Sequence, residues 1–180
     1  MRIVAGILKG RHIEPPKSFD ARPTTDFAKE GLFNVLNNYF DFESVRALDL
    51  FAGSGNISFE LFSRGCSDIT AIEINDKYVK SIISYAARFD CNSIQVLKTD
   101  VYGFLKHCRQ TYDIIFADPP YQEANYQLIN ELVFSNQLLR ENGWLIMEHS
   151  RDTDLSKLQN FKQLRKYAGV NFSVFYIENY

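Results

Sequence analysis

Arg46-Ala47-Leu48-Asp49-Leu50-Phe51-Ala52-Gly53-Ser54-Gly55-Asn56-Ile57-Ser58 decides the fold of this chain. It reads as a buried strand, a glycine turn and the start of a helix, the opening unit of a parallel α/β sheet. Glycines at 53 and 55 let the backbone turn sharply and come close to a ligand. The helix continues through Ile57, Leu61 and Phe62 and stops at Gly65, a natural left-handed cap. Asp68-Ile69-Thr70-Ala71-Ile72-Glu73-Ile74 follows as a second strand ending in a carboxylate. Glu73 lies twenty residues beyond Gly53, the offset that sets an acid beside a bound ribose diol.

Two features separate this turn from a dinucleotide site. Ser58 stands where a third glycine would complete G-x-G-x-x-G, and Asp49 sits four residues before the first glycine. A carboxylate is a poor neighbour for a pyrophosphate and a good one for an ammonium or sulfonium group. S-adenosylmethionine carries both cations and no phosphate, so the charge pattern favours it over a nicotinamide cofactor.

Working outward, Asn75 caps a helix with a stripe of Tyr78, Val79, Ile82, Ile83 and Ala86. Ser93 to Asp100 is a third strand, and Asp100 either accepts from an adenine amine or caps the helix carrying Val101, Phe104 and Leu105. Asp113-Ile114-Ile115-Phe116-Ala117 is a fourth strand, halted by Asp118-Pro119-Pro120-Tyr121. There an acidic side chain and a prolyl carbonyl are acceptors suited to the two hydrogens of an NH2 group, and Tyr121 offers a stacking face. A simple turn after a core strand is the plainer alternative. Asp49, Glu73, Asp100 and Asp118 therefore share one sheet edge, which is costly unless ligands or donors answer them. Tyr126 to Val133 form a helix, Trp144 to His149 a fifth strand, and Phe161–Tyr167 with Asn171–Ile177 an antiparallel pair closing the sheet. Glu148 and His149 reach the same edge, where a structural role is expected of them.

At the amino end, Arg2 to Leu8 and His12-Ile13 flank Lys9-Gly10-Arg11 as a β-hairpin. Residues 1–23 hold five basic side chains (Arg2, Lys9, Arg11, Lys17, Arg22) against two acidic ones, in a chain whose formal net charge is −2. A basic tip is a candidate phosphate contact or a solvated turn. Arg22-Pro23-Thr24-Thr25-Asp26 opens a helix with Ala28, Leu32, Val35, Leu36, Tyr39 and Phe40 on its buried face.

The totals set limits. The 180 residues fit one domain or one with a small appendage, and 46% hydrophobic content with 15 Phe and 10 Tyr supports a sizeable core. Cys66, Cys91 and Cys108 are odd in number and, like the three histidines, lack metal-ligand spacing, so reduced thiols and no metal are expected. No export signal or membrane span is read, so a cytoplasmic location is expected.

In the order Asp49–Gly55, Glu73, Asp100 and Asp118–Tyr121, the chain resembles the class I S-adenosylmethionine-dependent methyltransferases that act on amino groups. It is most similar to the RsmD family, bacterial enzymes methylating guanine N2 in 16S ribosomal RNA, through Arg2-Ile3-Val4-Ala5-Gly6 and Arg22-Pro23-Thr24-Thr25-Asp26 as well. The resemblance implies a Rossmann-like α/β domain over residues 24–180, with a seven-stranded sheet whose last strand is antiparallel, flanked by helices, and a basic hairpin extension at 1–23. It implies S-adenosylmethionine bound by Asp49, Phe51, Gly53, Ser54, Gly55, Glu73, Ile74, Asp100 and Val101, with Arg22 and Thr24 at its margin. It also implies a base held by Asp118, Pro119, Pro120 and Tyr121, and RNA contacted by Arg2, Lys9, Arg11 and Arg22. The expected partner is 16S ribosomal RNA in an assembled or assembling small subunit, met by a monomer. Phe27 and Gly31 depart from the family's usually more basic first helix. Two other readings stay open: a DNA amino-methyltransferase (adenine N6 or cytosine N4), and a non-catalytic RNA-binding module. A protein-glutamine methyltransferase would carry Asn rather than Asp before the Pro-Pro-Tyr.

Overall fold

The computed structural model describes residues 1–16, 25–120, 124–167 and 169–178. Helix α1 (Asp26–Leu36) begins at Thr25, whose side chain accepts from the Ala28 N–H. There follow β1 (Arg46–Leu50), α2 (Asn56–Ser63), β2 (Asp68–Glu73), α3 (Asp76–Arg88), β3 (Ile94–Lys98), α4 (Val101–His107) and β4 (Tyr112–Ala117). The chain closes with α5 (Tyr126–Ser135), β5 (Leu139–His149), β6 (Phe161–Tyr167) and β7 (Val170–Phe175).

These strands make one seven-stranded sheet in the order β3-β2-β1-β4-β5-β7-β6. Strands β1 to β5 pair in parallel, and β7 runs antiparallel to both β5 and β6. The period-two alternation of each strand divides the core in two. Ala47, Ile69, Ile114, Phe116 and Ile146 pack in one layer with α1, α2 and the amino-terminal segment. Leu48, Leu50, Ile72, Ile115 and Met147 pack in the other with α4 and α5. Since β1 and β2 are buried almost throughout, they read as continuous apolar runs.

Three details differ from the sequence expectation. The amino-terminal hairpin is closed by a single antiparallel bridge, Arg2 to His12, without extended strands. Ile3, Gly10 and Ile13 donate across the hairpin, but the N–H groups between are spent elsewhere: Val4 and Ala5 donate to the Glu60 carboxylate, Ile7 to the Ser63 carbonyl and Leu8 to Ser63 Oγ. A chain satisfied by a helix cannot also pair as a ladder. Secondly, β5 starts at Leu139, five residues before Trp144. The pairing steps from Tyr112–Leu139 to Ile114–Trp144, so the polar residues between form a bulge beside β4. Thirdly, Tyr39 and Phe40 lie beyond the end of α1 and pack on Trp144 instead, while Ile83 of the expected α3 stripe is 52% exposed.

Candidate functional site

The carboxyl ends of β2, β1 and β4 are adjacent, and the glycine turn lies directly after β1. Phe51, Gly53 and Gly55 all take positive φ, at 62°, 56° and 78°. Phe51 is the costly one, since a bulky side chain rarely adopts this region, and its ring is braced edge-on by Tyr102 at 6.1 Å. Gly55 is needed for a second reason: a Cβ there would stand 2.9 Å from the Phe59 ring.

Asp49 is 2% exposed, with its carboxylate facing α2. Its Oδ2 accepts from the Ser58 N–H at 3.1 Å and from Ser58 Oγ at 2.5 Å. Burial pushes the Asp49 carboxyl up to about 7, against the two Ser58 hydrogen bonds and with the help of Glu73. Ser58 was legible in the sequence only as a missing glycine, whereas in the fold it holds the central acid.

Glu73 bridges the turn to the next helix, Oε2 accepting from the Gly53 N–H at 2.8 Å and Oε1 from the Asn75 N–H at 2.7 Å. A carboxylate has about four acceptor positions, so about two stay open for a pair of hydroxyls. Ile74, next along, is 65% exposed and presents an apolar face beside that acid. Ser54 is buried, its hydroxyl on the Met1 sulfur at 3.1 Å. Asp100 caps α4 by accepting from the Gly103 N–H at 2.6 Å, and Val101 behind it is buried.

Asp118 follows the last residue of β4, its N–H reaching towards the Leu50 carbonyl at 3.5 Å. Pro119 is buried and Pro120 exposed. Pairing of Ala117 with Met147 sets Asp118 level with Glu148 on β5. Desolvation, then the charges of Glu148 and Asp49, hold the Asp118 carboxyl well above the usual range. Three acids from neighbouring strand ends thus converge on one place, and Glu148 joins the set by strand register rather than by any sequence motif. His149 serves the sheet instead, its Nε2 on Ser173 Oγ at 2.8 Å.

Arg22, Thr24 and Tyr121 lie outside the described residues. The remaining basic candidates divide. Arg2 pairs with Asp26 at the start of α1 at 3.4 Å. Lys9 and Arg11 are exposed on a loop fixed to Ser63, the last residue of α2, and Arg11 lies over the Phe89 ring at the end of α3. Both helix ends mark the sheet edge opposite Asp118, so the structure does not bring Lys9 and Arg11 to the acids. Among the described residues there is no cluster of His, Cys, Asp and Glu able to hold a metal ion. No helix among them is long and apolar enough to cross a membrane.

A seven-stranded sheet of this order, with a glycine turn after β1 and acids on its carboxyl edge, defines a class I methyltransferase fold. The chain belongs to the family described as Conserved hypothetical protein 95, the RsmD family, whose profile matches residues 1–177. It is 35% identical over 159 residues to YlbH of Bacillus subtilis, provisionally named an rRNA methyltransferase, covering 86% of this chain and 85% of that one. It is 33% identical over 148 residues to Ribosomal RNA small subunit methyltransferase D of Escherichia coli, covering 82% and 71% respectively. Among solved structures, a Haemophilus influenzae protein provisionally named a methylase, HI0767, superposes with a TM-score of 0.79 at 27% identity, covering 97% of this chain and 96% of its own.

Proposed function

We propose that this chain transfers a methyl group from S-adenosylmethionine to the exocyclic N2 amine of a guanine in 16S ribosomal RNA, acting as a monomer on an assembled or assembling small subunit. The observation that carries the reading is the meeting of Asp49, Asp118 and Glu148 at neighbouring strand ends beside the glycine turn, where desolvation and the charges of Glu148 and Asp49 raise the Asp118 carboxyl. The names of the RsmD relatives support ribosomal RNA as the substrate class.

The residues present suit the cofactor. Gly53 and Gly55 permit close backbone approach, Glu73 keeps acceptor positions for the ribose hydroxyls, and Ile74 offers an apolar face to the adenine. Asp49 would supply the negative charge that answers the cofactor's cationic amino-acid end. When bound, S-adenosylmethionine supplies a methyl group made electrophilic by its sulfonium.

The protein's task is then to orient a weak nucleophile, since the lone pair of a guanine amine is delocalised into its ring. Asp118 and the Pro119 carbonyl each accept one amine hydrogen, which turns the lone pair towards the donor. As the amine becomes positive, the neighbouring acids stabilise it. A carboxyl held above its usual range is also a suitable acceptor for the departing proton. The target base leaves its stack to reach this pocket, where Tyr121 replaces the lost stacking.

Incubation with labelled S-adenosylmethionine and, separately, naked 16S ribosomal RNA, assembled small subunits and DNA tests the reading. Nuclease digests of the RNA products should contain N2-methylguanosine. Asp118→Ala should lose turnover by at least about a hundredfold while still binding cofactor. Label in DNA alone, or near-normal turnover of the variant, would overturn the assignment.

A further inference from the structure

We infer that Phe27, backed by Tyr167, is a stacking platform for an unstacked base of the substrate RNA flanking the target nucleotide, with Arg165 beside it for a phosphate. The inference rests on the RNA-methylating reading above. It starts from two residues of α1, Phe27 and Gly31.

The two belong together. A Cβ on Gly31 would stand 2.1 Å from the Tyr167 ring, so glycine is what lets Tyr167 lie against α1. In that position Tyr167 meets Phe27 edge-on, with ring centroids 6.2 Å apart and planes at 76°. The contact fixes the Phe27 ring, yet leaves the residue 66% exposed. Phe27 thus presents an exposed ring whose orientation is set from behind by a second ring.

Register puts this pair on the site's own edge. Strand β6 runs in the direction of β4, because each is linked through β7 and β5. Ala117 is level with Met147, Ser173 and Leu164, so Asp118 is level with Arg165, and Tyr167 lies two residues beyond. Three strand spacings separate the columns, roughly 14 Å, a span suited to a nucleotide near the target rather than the target itself.

The charge fits the same occupant. Arg165 shares the face of Tyr167 by strand alternation and is close enough to act on its hydroxyl. The Arg165 Nε is buried without a hydrogen-bond partner. A guanidinium beside the ring that backs a presented aromatic is a pairing that can grip single-stranded nucleic acid, phosphate to one and base to the other. Lys9 and Arg11, at the opposite end of the sheet, cannot supply it.

Steady-state methylation of naked 16S ribosomal RNA and of assembled small subunits, with variants at both positions, tests this. Phe27→Ala should raise KM for naked RNA about tenfold, the weight of one base–aromatic stack, with kcat and cofactor affinity retained. Phe27→Trp should restore it. Arg165→Gln should reduce the slope of log KM against log salt by about one, a change Phe27→Ala should not make. An effect of Phe27→Ala on assembled subunits alone would put a protein on the platform and overturn the inference. So would a wild-type KM in Phe27→Ala. If wild type itself methylates no RNA, the functional reading has failed; if it does and Phe27→Ala matches it, only the platform has.

Discussion

Ser58 donates twice to the buried Asp49 carboxylate, through its N–H at 3.1 Å and its hydroxyl at 2.5 Å. One residue thereby ties the first turn of α2 to the end of β1 and fixes the acid beside the glycine loop. Ser58→Ala keeps the backbone bond and deletes the other. Loss of a hydrogen bond to a charged acceptor costs about 1.5–3 kcal/mol, so urea unfolding at pH 8 should show a drop of about that size. At pH 5, with Asp49 protonated, the drop should shrink. A loss that is the same at both pH values would mean the hydroxyl does not answer the charge.

Asp49 also gives stability a pH dependence of definite sign. Burial, opposed by Ser58 and assisted by Glu73, raises its carboxyl to about 7 in the folded chain. The folded state therefore binds the proton more tightly than the unfolded chain does. The resulting stabilisation is complete below about pH 4 and is lost as pH climbs through about 7. His149 works in the other direction, because burial lowers its affinity for the proton. The useful readout is consequently a difference: wild type, compared with Asp49→Asn, should lose stability between pH 5 and 8. Parallel profiles would show that Asp49 ionises normally.

Cofactor recognition should depend steeply on Glu73, which accepts from both Gly53 and Asn75. Glu73→Ala removes the ribose acceptor and unties the turn, so affinity for S-adenosylmethionine should fall at least about tenfold by calorimetry. Glu73→Gln is no mild substitute, since its amide nitrogen would face an N–H on one side or the other. Both variants should bind less tightly than wild type, and an unchanged affinity in either would remove Glu73 from the site.

What could be read in advance was whatever is local in sequence. The turn at Gly53–Gly55, the acid at Glu73 and the proline stop after Asp118 each sit within one strand–loop–helix unit, where spacing alone reports geometry. Asn75 was legible as a cap for the same reason, whereas the sequence left Thr24 and Thr25 as equal candidates for the cap of α1 and the fold uses Thr25. The start of β5 at Leu139 was hidden because Arg140, Glu141 and Asn142 are exposed and polar, as loop residues are. The level pairing of Asp118 with Glu148 and the packing of Tyr167 on Gly31 depend on strand order, which no local pattern encodes. Phe27 and Gly31 stood out in the sequence, but only the fold joins them.

Lys29 carries the prediction furthest from anything visible in the sequence. It is fully buried, donating to the Arg2 carbonyl at 2.7 Å and to Asn56 Oδ1 at 2.6 Å, and it pairs with Glu60 at 3.3 Å. Glu60 in turn receives the N–H groups of Val4 and Ala5 and the Arg64 guanidinium. One ammonium therefore clips α1, the amino-terminal segment and the first residue of α2 together, immediately after the glycine turn. Lys29→Met keeps the side-chain length and removes the charge. Breaking a buried pair from one side costs about 3–5 kcal/mol, and the donors left on Glu60 place this case near about 3. Because Asn56 opens α2, the variant should also bind S-adenosylmethionine more weakly at temperatures where it remains folded. Denaturant melts together with calorimetry separate the two effects. A stability loss below about 1 kcal/mol would show that Arg64 and the backbone donors hold Glu60 without help from Lys29.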